Sequence, residues 1–281
     1  MIFRPLTAAP FKHDSSYREV EPCRMLQPYV RCFWGGEKDC SDTKVDASFD
    51  IIIPDTCVDI IYCIDDAGNM MSSDYNGVND RTFWLQNCES PDHRIFTFAI
   101  RFYAWSAYLF SEDSLAGTIN ERCDVRERFG WLDRELRGHL SELWNLTELI
   151  QLTESILLKR LEHARYNKHV DRIMSDILRY QGAMGINQLS REHFISDRQM
   201  ERLFQDYIGI TPKKLSNLIR YQSLWRDIVC HSDFDIADAV CKYGYTDVSH
   251  LMREFKRYHS MNIREAREMA LRYYPKEGNG C

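Results

Sequence analysis

Ser196-Asp-Arg-Gln-Met-Glu-Arg-Leu-Phe-Gln205 and, about 50 residues later, Thr246-Asp-Val-Ser-His-Leu-Met-Arg-Glu-Phe-Lys256 are two versions of one phrase. In each, a Ser or Thr able to N-cap a helix precedes an arginine, Arg202 or Arg253, and an aromatic two residues further on, Phe204 or Phe255. On a helix those side chains fall on adjacent faces, one wet and one buried. Ahead of each copy runs a short amphipathic segment, Ile186 to Phe194 and Ile236 to Tyr243, so each unit reads as helix, turn, helix.

Between the copies, Pro212 suits the first turn of a helix that runs to about Cys230. At about 1.5 Å per residue that helix is a rod of roughly 28 Å. Successive major-groove faces on one side of a duplex lie about 34 Å apart. A rod of this length with a helix hung from each end suits two consecutive grooves of one DNA site.

Working outward, the segment before the first unit is also helical: Val170, Ile173, Met174, Ile177 and Leu178 share one face up to Gly182. A last helix is expected near Arg264 to Tyr273. Upstream, Leu132, Leu136, Leu140 and Leu143 follow helical spacing. After a break at Trp144-Asn145, so do Leu146, Leu149, Ile150, Thr153, Ile156, Leu157 and Leu161. That second stripe serves either to pack on the N-terminal half or to pair with its copy in a homodimer through residues 146–161.

The first 115 or so residues read as strands and turns. Phe49 to Ile53 and Val58 to Ile64 are β-branched runs split by Pro54-Asp-Thr-Cys57, and Arg81 to Gln86 and His93 to Phe102 are aromatic and β-branched. The fold class is therefore α+β: an antiparallel sheet or barrel-like N-terminal domain with helices, then an all-α domain. The domains expected are 1–162 and 168–273.

Charge is divided unevenly. Residues 1 to 159 hold 16 basic and 26 acidic side chains, residues 160 to 281 hold 20 and 16, and the net formal charge of −6 hides a mildly basic C-terminal part. That permits phosphate attraction without requiring it. The ten cysteines are scattered with no C-x-x-C pair, and most are expected to be reduced, buried hydrophobes. Only His13 and His93 precede residue 139, which starves the sheet of ligands for a three-histidine metal site. G-x-S-x-G, H-E-x-x-H and phosphate-cradling glycine loops are all missing, so neither an enzyme nor a cofactor is expected. With no apolar stretch of signal-peptide or membrane-spanning length, the expected location is the cytoplasm.

Gly209-Ile-Thr-Pro212, Arg220, and Ile236-Ala-Asp-Ala-Val-Cys-Lys-Tyr-Gly-Tyr-Thr246 through Phe255-Lys-Arg257 resemble the AraC/XylS family of bacterial transcription regulators. The resemblance covers roughly residues 168 to 270. It implies a DNA-binding domain of two helix-turn-helix units joined by a long helix. Gly244 has a physical reason, a turn that needs positive φ. Several positions depart from the pattern. Phe194 stands where the family favours Gly, His193 and Asp227 where apolar residues are usual, and Ser260-Met-Asn-Ile263 in place of Gly-x-x-Pro. Leu26 to Trp34, Pro54 to Tyr62 and Phe98 to Phe102 look like a sensor-type domain fused to such regulators. The resemblance implies double-stranded DNA as partner, RNA polymerase if the protein activates, and a small-molecule effector.

DNA sequence is read at base edges, with arginine bidentate to guanine the commonest specific contact. Arg198 and Arg202 share a face of the first recognition helix with Glu201, a potential acceptor from cytosine. Val248, Ser249 and Arg253 take the matching places in the second, where Val248 suits a thymine methyl. His250 and Lys256 are expected at phosphates, as are Lys213, Lys214, Arg226 and Arg257. In the sensor half Trp34, Tyr62, Trp84 and Phe98 are candidates to line an apolar pocket, with Arg101 to fix an anionic or carbonyl group. The alternative class is a protein-interaction module whose helix-turn-helix units have lost DNA contact.

Overall fold

The computed structural model describes residues 3–6, 17–39, 49–86, 94–140, 142, 145–164 and 166–273. Its N-terminal half contains β1 (Arg18–Val20), β2 (Val30–Asp39), β3 (Phe49–Ile52), β4 (Cys57–Asp65), β5 (Met70–Asn76), β6 (Phe83–Gln86), β7 (Arg94–Tyr103) and β8 (Arg122–Asp124). Antiparallel pairing gives a six-stranded sheet in the order β1-β2-β7-β4-β5-β8, and β3 pairs with β6 separately. The expected antiparallel sheet is present. β1, β2, β5 and β8 were not read as strands from sequence: β1 and β8 are three residues long, and β2 and β5 carry glycine or polar side chains that obscure the alternation.

Register decides which side chains share a face. Phe33, Ile60 and Ile100 stand opposite one another across β2, β4 and β7, with Tyr62 beside Phe98 and Val58 beside Phe102. All are buried. Phe102 stacks on Phe110 and Phe129 at 4.8 and 5.9 Å between ring centroids. Phe129 belongs to α1 (Arg126–Leu140), whose Leu132, Leu136 and Leu140 are also buried.

Asn145 caps α2 (Leu146–Leu161), its side chain accepting from the amides of Thr147 and Glu148. Leu149, Ile150, Thr153 and Leu157 of α2 are buried within this one chain, against α1 and β2, which takes up the central part of the stripe. Leu152, Ile156 and Leu158 are half-buried.

The C-terminal half is α3 (Lys168–Arg179), α4 (Ile186–Glu192), α5 (Asp197–Ile208), α6 (Pro212–Cys230), α7 (Ile236–Tyr243), α8 (Val248–His259) and α9 (Ile263–Tyr273). Trp225, Tyr221 and Leu224 of α6 are fully buried, and α3, α5, α7, α8 and α9 all touch that helix. Apart from Phe194, the departures from the expected pattern find local partners or caps. His193 Nε2 lies 2.9 Å from Asp176 Oδ2. Asp227 accepts from the Tyr243 hydroxyl at 2.7 Å and from Lys242 Nζ at 2.5 Å. Ser260 closes α8 with φ 64°, and Asn262 and Glu265 cap each other at the start of α9, so neither glycine nor proline is required there. Among the described residues no helix is long and apolar enough to cross a membrane.

Candidate nucleic-acid interface

The two recognition helices differ at their first residue. Ser196 caps α5 in a full capping box: its hydroxyl accepts from the Gln199 amide while Gln199 Oε1 accepts from the Ser196 amide. Sequence reading puts the second cap at Thr246, but the structure places it at Asp247, whose carboxylate accepts from the His250 amide at 2.7 Å. A carboxylate both satisfies the free N–H and opposes the positive helix terminus. Matching the caps aligns Met200 with Leu251, Arg202 with Arg253 and Phe204 with Phe255. The first and third pairs are buried, and both arginines are exposed.

Arg198, Glu201 and Arg202 are exposed on α5, and Val248, Ser249, Arg253 and Lys256 on α8. His250 is half-buried. Its Nδ1 faces the Thr246 amide at 3.4 Å and its ring meets Tyr245 edge-on. Both helices thus carry an apolar inner face that seats them and a polar outer face free of the core.

The seat of α8 involves residues that sequence reading did not join. Arg220 of α6 bonds Glu254 at 2.7 and 2.8 Å, beneath the Tyr245 ring, and the Tyr245 hydroxyl donates to the same carboxylate at 2.9 Å. Nearby, burial pushes the His259 imidazole down to about 3, so it is neutral in the fold and shares a 2.8 Å hydrogen bond with the Tyr221 hydroxyl. A charge of opposite sign 34 positions away is a weak sequence signal.

The sheet half grips the helix-turn-helix half at several points. The carbonyl of Asp206, on the last turn of α5, accepts from the Leu115 amide at 3.0 Å and the Ser114 hydroxyl at 3.1 Å. Gly209, with φ 80°, ends α5 so close to that loop that a Cβ would lie 2.4 Å from the Leu115 carbonyl oxygen and from Thr118 Oγ1. Buried Gln222 of α6 donates to the Pro54 carbonyl and accepts from the Leu6 amide at 2.9 Å. The Thr82 hydroxyl donates to the Tyr258 carbonyl at the end of α8. Lys214 is paired with Asp80 at 2.8 Å and Arg226 donates to the Arg4 carbonyl at 3.3 Å, so both of these expected phosphate contacts are engaged between the two halves. Arg257 lies over the Tyr258 ring.

The five candidate pocket residues do not surround one cavity. Tyr62 and Phe98 sit side by side on the packed face of the sheet. Arg101 and Trp34 belong to the opposite face, where Arg101 is buried and bonded to Asp59 at 2.8 and 2.9 Å, while Trp34 Nε1 donates to the same carboxylate. Trp84, on the separate β3–β6 pair, is 58% exposed. Pleating explains the division: side chains of opposite parity along a strand cannot share a face. Asp55 joins the Arg101 group at 3.8 Å. Burial raises its carboxyl to about 6 against the pull of the guanidinium. A cavity of about 490 Å³ lies elsewhere, beside α8, between Phe234, Ile236, Met252, Ile263 and Arg267.

Comparison with known proteins divides at the same place. Residues 189–269 match the family model "Helix-turn-helix domain", and residues 18–124 match "Domain of unknown function (DUF6597)". No curated protein matches. Among solved structures, ToxT from Vibrio cholerae at 1.65 Å is 14% identical, with a TM-score of 0.42 over 80% of this chain and 96% of that one. ToxT bound to (E)-4-(8-methylnaphthalen-1-yl)but-3-enoic acid is 13% identical, with a TM-score of 0.43 over 80% and 96%. ToxT bound to an unsaturated fatty acid is 12% identical, with a TM-score of 0.38 over 79% and 92%. With two capped helices, α5 and α8, flanking the linking helix α6, residues 189–269 of this chain form a helix-turn-helix domain.

Proposed function

We propose that this protein is a sequence-specific DNA-binding transcriptional regulator that sets α5 and α8 into adjacent major-groove segments of one duplex. One observation carries the reading: two twelve-residue helices, each capped at its start and seated by a buried aromatic, carry exposed arginines and flank a 19-residue linking helix in the chain. Arg198, Glu201 and Arg202 read one segment, and Val248, Ser249 and Arg253 the other, while His250 and Lys256 meet the backbone.

In this reading the sheet half is the regulatory domain. It touches α5, α6 and α8, so any shift in the loops at 54–56, 80–82 or 114–118 changes how the two recognition helices are held. A small-molecule effector acts there through its differential affinity for two arrangements, and the outcome is activation through contact with RNA polymerase. A homodimer would form on the half-buried Leu152, Ile156 and Leu158 of α2. The setting is the bacterial cytoplasm.

The test is capture and sequencing of fragmented genomic DNA bound by the purified protein at about 150 mM salt, where non-specific affinity is already weak. A recurrent motif with two groove segments about one helical turn apart is the expected result. No enrichment, with and without cell extract as a source of effector, favours the protein-interaction reading instead.

A further inference from the structure

Among the described residues, Thr56, Asn120, Gln181, Phe194 and Ser260 hold a positive φ without being glycine. Phe194 stands apart from the others, because it is the one with a large aromatic side chain and that side chain is 97% exposed. Both features are unfavourable in the free protein: a Cβ crowds the following carbonyl in the left-handed region, and a ring in water forgoes burial. Glycine would make the same turn, φ 51°, without either cost. A bulky residue kept in such a conformation points to a use outside the fold.

The ring's position is fixed by the turn that carries it. The Phe194 amide donates to the Arg191 carbonyl at 3.4 Å and the Ile195 amide to the Ser190 carbonyl at 3.1 Å. The Ser190 hydroxyl then bridges to Asp197, the first residue of α5. Two residues after Phe194 comes the Ser196 cap, and the exposed Arg191 and Arg198 lie on either side in sequence. A recognition helix enters the groove by its N-terminal residues, so the turn just before it lies at the groove wall. There, between phosphates, a duplex offers the apolar faces of deoxyribose and thymine methyl groups.

We propose that Phe194 packs against duplex DNA at the edge of the groove read by α5, its ring on deoxyribose or thymine methyl surface while Arg191 meets the neighbouring phosphate. The two flanking arginines suit a polyanion, and the exposed ring stands two residues ahead of the Ser196 cap of the helix that carries Arg198, Glu201 and Arg202. The contact rests on the DNA-binding reading proposed above.

The experiment uses the full chain and a duplex enriched by the wild-type protein from a random-sequence library. Affinity is measured across a salt series for wild type, Phe194→Ala, Phe194→Gly and Arg191→Ala, alongside each Tm. Phe194→Gly is expected to melt above wild type yet bind about tenfold more weakly, the loss of part of a buried ring. Its slope of log affinity against log salt stays unchanged, because an apolar contact releases no counterions, whereas Arg191→Ala, which removes the phosphate contact, flattens the slope. Wild-type affinity in both Phe194 variants overturns the contact and leaves the regulator reading intact. Weaker binding that merely follows a lower Tm also overturns it, as does unchanged DNA affinity with reduced capture of purified RNA polymerase. Failure of the wild-type protein to enrich any sequence removes the regulator reading and this contact with it.

Discussion

The guanidinium of Arg220 and the carboxylate of Glu254 meet through hydrogen bonds of 2.7 and 2.8 Å, with only 12% and 9% of their side chains exposed. They tie the linking helix directly to the second recognition helix, and the Tyr245 ring closes over the pair. Removing one partner strands the other in a poorly solvated site. Arg220→Ala is therefore expected to cost about 3 kcal/mol in urea denaturation. Replacing both residues by methionine should cost less than Arg220→Ala alone; an equal or greater loss in the double variant would refute the stranded-charge account.

Gly209 and Gly244 both end helices in the left-handed region, at φ 80° and 66°. Only Gly209 faces another part of the chain at close range, since a Cβ at Gly244 would meet nothing nearer than Ala183 Cβ at 3.7 Å. Gly244→Ala is expected to lose about 1 kcal/mol through backbone strain alone. Gly209→Ala should lose clearly more and expose the 114–118 loop to limited proteolysis. Equal losses at the two sites would show that the close approach to Leu115 and Thr118 has no energetic weight.

His259 packs among Trp225, Phe255 and Tyr221, and burial holds its pKa at about 3 rather than the ordinary 6.5. The unfolded chain therefore binds this proton first. The contribution of the neutral imidazole is fully present above about pH 6.5 and is lost progressively as pH falls toward 3. The His259 ring signals in an NMR titration should stay in the neutral form at pH 5, where an exposed histidine is protonated. Ordinary titration near 6.5 would contradict the buried, neutral state.

Arg253 is exposed one turn beyond Ser249 on α8, and its Nε donates to the Ser249 carbonyl at 3.3 Å. Arg253→Ala is expected to leave Tm unchanged, weaken specific DNA binding by about 1 to 3 kcal/mol and relax one base position. An unaltered base preference after repeated selection would remove Arg253 from the reading surface. Arg202→Ala provides the matched comparison in the first unit.

Legibility from sequence followed the range of the interactions involved. The helices of the C-terminal half were readable because caps, helical periodicity and glycine terminators act over a few residues. α6 begins at Pro212 and α7 ends before Gly244, as their residues indicate. Even so, the second cap fell at Asp247 rather than Thr246, because either side chain can accept the helix-end amide and only geometry selects between them. In the sheet half, four of the eight described strands lack a legible signal: β1 and β8 are three residues long, β2 contains Gly35 and Gly36, and β5 contains a run of small and polar residues.

The sequence by itself determined the doubled helix-turn-helix, the length of the rod between its two halves and the side chains on each recognition helix, all set by local periodicity. The tertiary structure alone decided the strand order, the separation of Arg101 and Trp34 from Tyr62 and Phe98, and the fate of the charged residues. Lys214 finds Asp80 across 134 positions and Arg101 finds Asp59 across 42. A lysine or arginine reads the same in sequence whether it will face a phosphate or a carboxylate of its own chain. Only the packing of distant segments brings that second charge within reach.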